Sequence, residues 1–200
     1  MSQTDKSAQQ ALHEEAGQVL VQAELIYSAA QLEQALQQLA QQINAQLTPH
    51  SEQQPVLLMP VMNGGLVLCG QLMTRLTFPL QVDYLHATRY RDKTHGSDLH
   101  WKASPQQSLQ GRTLLVVDDI LDEGYTLQAV LEYCRAQGAA QAYSVVLVEK
   151  NHPRARADIK ADFTGLMVED RYVFGFGMDY KGYHRNLNGI YAVADKGTDR

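Results

Sequence analysis

The chain has 200 residues, 44% of them apolar, and a formal net charge of −5 at pH 7. These values fit one globular domain with at most a small appendage, and the acidic balance argues weakly against a nucleic-acid surface, which calls for a basic patch. No stretch approaches the length of a membrane span, and the polar start MSQTDKSAQQ lacks the apolar region of a signal peptide, so cytoplasm is the expected compartment.

Residues 8–47 read as helical and are rich in Gln and Ala, with a break near Ser28 that suggests two helices. Leu32, Leu36, Leu39, Ile43 and Leu47 form one apolar stripe at helical spacing, a packing signal rather than a chemical one. A polar loop over 48–55 leads to a short apolar strand at 56–61, the turn Asn63-Gly64-Gly65, a helix over 66–76 and a strand over 80–86. From 89 to 105 the chain is polar, charged and glycine-bearing without apolar period, which reads as a long loop, either a surface excursion or a lid. Further strands follow at 142–149, 163–168 and 172–174, with a short apolar tail at 189–193. Strands alternate with helices through the middle, which predicts a parallel sheet covered by helices, and the pieces after 163 are expected to join a small hood. Cys69 and Cys134 lack metal-ligand spacing and sit on apolar helix faces, so buried free thiols are expected.

The most informative stretch is LLVVDDILDEGYTL at 114–127. Leu114 to Val117 have the length and branching of a buried strand. Two adjacent carboxylates, Asp118 and Asp119, end the run, and Asp122, Glu123, Gly124, Tyr125 and Thr126 lead into a helix with Leu127, Val130, Leu131 and Cys134 on one face. Polar groups are thus placed at the carboxyl end of a strand, where ligands of open α/β sheets bind. A helix start presents N–H groups and partial positive charge to a phosphate, Gly124 permits close approach or a positive φ, and Thr126 adds a hydroxyl. Asp118 and Asp119 are acceptors suited to sugar hydroxyls or hydrated Mg²⁺, and Asp122 stands where a general base could work. The plainer alternative is that Asp122 simply caps the helix.

VVDDILDEGYT resembles the phosphoribosyl pyrophosphate signature of type I phosphoribosyltransferases, and the wider chain is similar to the hypoxanthine-guanine branch of that family. The likeness runs from about residue 56 to 193 and includes PVMNGGLVLCGQL at 60–72, VLVEK at 146–150 and RYVFGFGMDYKGYHRN at 171–186, in the family's order. It implies an α/β fold of the type I kind, a parallel sheet flanked by helices with a small hood and N-terminal helices: one domain, with a helical segment near 8–47, a core near 55–160 and the hood from about 163. It implies transfer of the 5-phosphoribosyl group of phosphoribosyl pyrophosphate to hypoxanthine or guanine with Mg²⁺ as cofactor, by a homo-oligomer, dimer or tetramer, without nucleic-acid or membrane partners. Residues 122–126 would hold the 5′-phosphate, Asp118 and Asp119 the ribose hydroxyls and Mg²⁺, and Asp179 a second Mg²⁺. Asp122 would accept the proton at purine N7. Arg185 and the Asn63–Gly64 turn would contact pyrophosphate, with a cis or strained Asn63–Gly64 bond expected in at least the ligand-bound state. Lys150 would donate to the 6-oxo oxygen, Tyr172 would stack on the purine, and Val173 would contribute main-chain hydrogen bonds. The stretch 89–105 would be a lid. Two departures stand out: Glu123 where many relatives have Thr or Ser, and Asn63 where many have Lys. Rival readings are a phosphoribosyltransferase for xanthine or adenine, and an RNA-binding regulator on the same fold.

Overall fold

The computed structural model describes residues 3–52, 54–89, 99–153 and 157–194. In chain order the elements are α1 (Gln3–Gln22), β1 (Glu24–Tyr27), α2 (Ala29–Leu47), β2 (Val56–Pro60), α3 (Gly65–Met73), β3 (Leu80–Val82), β4 (His86–Arg89), β5 (Leu99–Ala103), β6 (Thr113–Leu121), α4 (Tyr125–Ala136), β7 (Gln141–Asn151), β8 (Phe163–Glu169), β9 (Val173–Phe174) and β10 (Ile190–Ala192). They fall into two units, a larger one over Glu33–Asp170 and a smaller one made of Met1–Leu32 and Arg171–Arg200.

The larger unit is built on a five-stranded parallel sheet of order β3-β2-β6-β7-β8. Leu114 to Val117 of β6 are fully buried at its centre. Burying each such side chain contributes roughly 1.5–3 kcal/mol, so these four fix the strand and carry the acid pair with it. One apolar cluster joins Leu57 and Met59 of β2, Leu114 and Val116 of β6 and Val146 of β7 to Leu127, Val130, Leu131 and Cys134 of α4. Leu36, Leu39, Ile43 and Leu47 of α2 are buried as their spacing requires. Gly165 of β8 makes room for that helix, since a Cβ there would stand 3.1 Å from Leu39 Cδ1 and 2.8 Å from the Leu147 carbonyl oxygen.

In the smaller unit β1, β10 and β9 form an antiparallel sheet in that order. Phe174, Tyr180 and Ala16 form its core, with Leu20, Tyr183 and Tyr191 packed against them. Tyr180 and Lys181 both donate to Glu15 of α1, at 2.6 and 2.7 Å.

Several expectations are corrected. Residues 24–27 are a strand inside the stretch read as helical, and Ser28 with Gln31 starts α2 behind it: the Ser28 N–H donates to Gln31 Oε1 at 2.9 Å, half of a capping box. The strand at 163–169 is the edge of the parallel sheet rather than part of a hood. The stretch 89–105 is not all loop, because β5 pairs with β4 as an antiparallel ribbon. The centre of the lid expectation, 90–98, lies outside the described residues. The foot of the ribbon is firmly held. The buried Asp83 carboxylate accepts the N–H groups of Tyr84, Gln106 and Gln107 at 2.7–2.8 Å, and Trp101 packs on Tyr133 of α4 with ring centroids 4.3 Å apart. No helix among the described residues is long and apolar enough to cross a membrane.

Candidate active site

Strand β6 runs past Val117 through Asp118 and Asp119 to Leu121, so the acid pair lies within the strand's carboxyl end rather than just beyond it. The Asp119 N–H donates to Asp118 Oδ1 at 2.9 Å. The turn after β2 is pressed onto this end. A Cβ on Gly64 would collide with the Asp119 carboxylate, and one on Gly65 with the Val117 carbonyl. These two glycines let the α3 start sit against the acid pair. A cis peptide bond does occur in this turn, but at Met62–Asn63, one residue before the expected place.

Gly124 is the residue before α4, with φ +83°, a left-handed conformation that favours glycine. It is also buried: a Cβ would stand 2.8 Å from Ile159 Cγ2. Gly124, at the N-cap position, has no side chain with which to cap α4. Tyr125 and Thr126 stand in the first turn of α4. The Glu123 carbonyl accepts the Ala157 N–H at 2.8 Å, which fixes the loop from behind.

Asp122 faces two basic side chains. Lys150 Nζ lies 3.0 Å from Oδ2, and His152 Nε2 lies 3.0 Å from Oδ1. Lys150 is only 12% exposed and has a further carboxylate, Asp170, at 3.9 Å, so it is not a solvated strand-end charge. The His152 side chain has no exposed surface. Sequence reasoning passed over His152, because a histidine in a polar connection carries no local pattern; only the fold brings it from the end of β7 to the loop after β6.

In the smaller unit, Tyr172 is 51% exposed, so core packing does not account for it. Its hydroxyl donates to the Asp179 carbonyl at 3.2 Å and its ring meets Tyr180 edge-on. Val173 is buried in β9, the edge strand of its sheet. Arg185 and Asp179 form an ion pair with each other; Arg185 also donates to the Gly177 carbonyl, and the Gly182 N–H donates to Asp179 at 2.6 Å. Where separate pyrophosphate and metal contacts were expected, these two charges are engaged together.

The chain matches the phosphoribosyl transferase domain over residues 22–181. It is 32% identical over 156 residues to the hypoxanthine-guanine phosphoribosyltransferase of Bacillus subtilis, covering 78% of this chain and 86% of that one. It is 27% identical over 163 residues to the hypoxanthine-guanine-xanthine phosphoribosyltransferase of Tritrichomonas foetus, covering 82% and 87%. A Trypanosoma cruzi hypoxanthine phosphoribosyltransferase solved with its product IMP superposes with a TM-score of 0.80 at 20% identity, covering 87% of this chain and 96% of that one, a likeness of fold. The chain therefore belongs to the phosphoribosyltransferase family, as a relative of its hypoxanthine-guanine enzymes.

Proposed function

We propose that the protein transfers the 5-phosphoribosyl group of phosphoribosyl pyrophosphate to hypoxanthine or guanine, as a step of purine salvage. The C1′–pyrophosphate bond breaks, a C1′–N9 bond to the purine forms, and the proton on N7 passes to Asp122. The observation that carries this reading is the carboxylate of Asp122 held 3.0 Å from the Lys150 ammonium, beside a glycine-started helix at the carboxyl end of the central strand.

Each group has a task. The loop after β6 and the start of α4, residues 122–126 together, hold the 5′-phosphate by N–H groups, the Thr126 hydroxyl and the positive helix end. Asp118 and Asp119 accept from the ribose hydroxyls. Lys150 donates to the 6-oxo oxygen of the base, a contact that adenine cannot return because its 6-amino group is a donor. Tyr172 offers an exposed ring for stacking and Val173 its main chain. The Asn63–Gly64 turn and Arg185 are assigned to pyrophosphate, with Asn rather than Lys at position 63.

Asp118 and Asp119 are also suited to Mg²⁺. No group of three or more His, Cys, Asp or Glu among the described residues could hold a metal alone, and an ion that takes one or two carboxylates together with substrate oxygens and water suits such a site. Bound there with phosphoribosyl pyrophosphate, Mg²⁺ would offset negative charge on the leaving group. Asp179 is assigned to a second Mg²⁺: a carboxylate that accepts from Arg185 and from the Gly182 N–H keeps lone pairs for a metal. Residence in the cytoplasm and assembly as a homo-oligomer complete the proposal.

The test is a panel of hypoxanthine, guanine, xanthine and adenine with phosphoribosyl pyrophosphate, with and without Mg²⁺, read as nucleotide formed. Formation of IMP and GMP that depends on Mg²⁺ is expected. Preference for adenine, or salt-sensitive RNA binding without turnover, would overturn the reading.

A further inference from the structure

The connection from β7 to β8 backs the loop after β6 at three points. The Ala157 N–H holds the Glu123 carbonyl, and Ile159 closes over Gly124. The third point is His152. Its Nε2 is 3.0 Å from Asp122 Oδ1, within ion-pair reach, but the approach is not aligned as a hydrogen bond, and neither ring nitrogen has an aligned partner among the described residues. A buried polar group left in that condition costs about 1–3 kcal/mol, and such groups ask for a functional explanation. A ring that served packing alone would be better replaced by a hydrocarbon.

We infer that His152 is a positioning residue for Asp122, an inference that rests on the proposed function above. In the free protein the two oxygens of Asp122 face different groups, Oδ2 the Lys150 ammonium and Oδ1 the His152 ring. When Lys150 turns part of its donor set to the 6-oxo oxygen of the base, its hold on Oδ2 loosens. His152, its side chain fully buried and Nε2 already 3.0 Å from Oδ1, then brings its N–H into line with that oxygen and fixes the carboxylate. A carboxylate offers about four lone-pair sites, so two donors leave room for the purine proton. His152 neither touches substrate nor exchanges a proton with it. It keeps Asp122 from following the lysine.

The experiment compares kcat and KM for His152→Gln, His152→Phe and His152→Ala, each alone and combined with Asp122→Asn. Gln keeps an N–H donor near the place of Nε2; Phe keeps the ring and its volume without nitrogen. Phe and Ala should lower kcat roughly 10–100-fold, the scale of misplacing a reacting group by up to about 1 Å, with little change in the KM for phosphoribosyl pyrophosphate. Gln should retain most of the activity. With Asp122→Asn present, none of the three should lower kcat further, because the group they position is gone. If Ala fails to fold, the Gln and Phe pair decides. Phe as active as Gln, or equal losses with and without Asp122, would overturn the inference while nucleotide formation by the unaltered protein keeps the proposed function standing. No nucleotide from the unaltered protein would instead refute that function, and this role with it.

Discussion

Replacing Gly64 by Ala tests whether the carboxylate of Asp119 must stand where it does. The new Cβ would lie 2.5 Å from Asp119 Cγ and 2.7 Å from Oδ1. Ordinary contact distance is about 3.5–4.0 Å, so the carboxylate must retreat by about 1 Å. The backbone itself has no objection: Gly64 has φ −60° and ψ −50°, which alanine adopts freely. Stiffening the unfolded chain stabilises by about 0.4–1 kcal/mol, against an overpacking cost of about 1–3 kcal/mol, so the fold should survive. Function should not be spared, since a shift of about 1 Å at a reacting centre costs about 10²-fold. Initial rates with phosphoribosyl pyrophosphate varied at saturating hypoxanthine, beside a thermal melt, separate the two effects. Gly65→Ala is the contrasting variant, because its Cβ meets the Val117 main chain, which cannot swing aside, and it should lower the melting temperature strongly. A Gly64→Ala protein that melts normally and keeps a normal kcat/KM would refute the reasoning.

Asp122→Asn should leave the fold intact and cut turnover by about 10²–10⁴-fold, the usual effect of removing a general base; turnover near normal in single-turnover assays would remove Asp122 from that role. Lys150→Met should weaken use of hypoxanthine by roughly 1.5–3 kcal/mol, the worth of a charged hydrogen bond, and narrow its margin over adenine, which competition between the two bases reads directly. Burial pushes the thiols of Cys69 and Cys134 up to about 11. With the thiolate so scarce near neutrality, a thiol-specific reagent at pH 7.5 should label neither in the native protein and both after denaturation.

The parts legible in the sequence are those whose signal is local. The α2 stripe, the β6 run and the α4 face each bury the side chains that their spacing nominates. The acid pair and Gly124 could be read because a strand, a left-handed glycine and a helix follow one another within a dozen residues. What escaped depends on distant partners. Glu24–Tyr27 reads as a piece of helix because its strand character comes from pairing with Ile190–Ala192. His152 gains its meaning only from Asp122, thirty residues earlier in the chain. The strand at 99–103 hid in a polar stretch, because an edge ribbon held by Trp101 and Asp83 needs little apolar sequence of its own. The ion pair of Arg185 with Asp179 had no sequence signal beyond two opposite charges in one loop region.

The order in which the chain is made bears differently on the two sheets. Every strand of the parallel sheet has been synthesised once Glu169 is in place. The antiparallel sheet has β10 at its centre, flanked by a strand from near the start of the chain and one from just before it. Until Ala192 emerges, β1 and β9 have no neighbour to pair with in that sheet, and joining β1 to β10 means closing a loop of well over a hundred residues, the kind of contact that forms late. A growing polypeptide can thus acquire its acid pair, glycine-started helix and Asp122 before it acquires the β9 strand and the tyrosine beside it. A nascent chain arrested after β8 should already resist proteolysis through the parallel sheet while its first thirty residues are still cut.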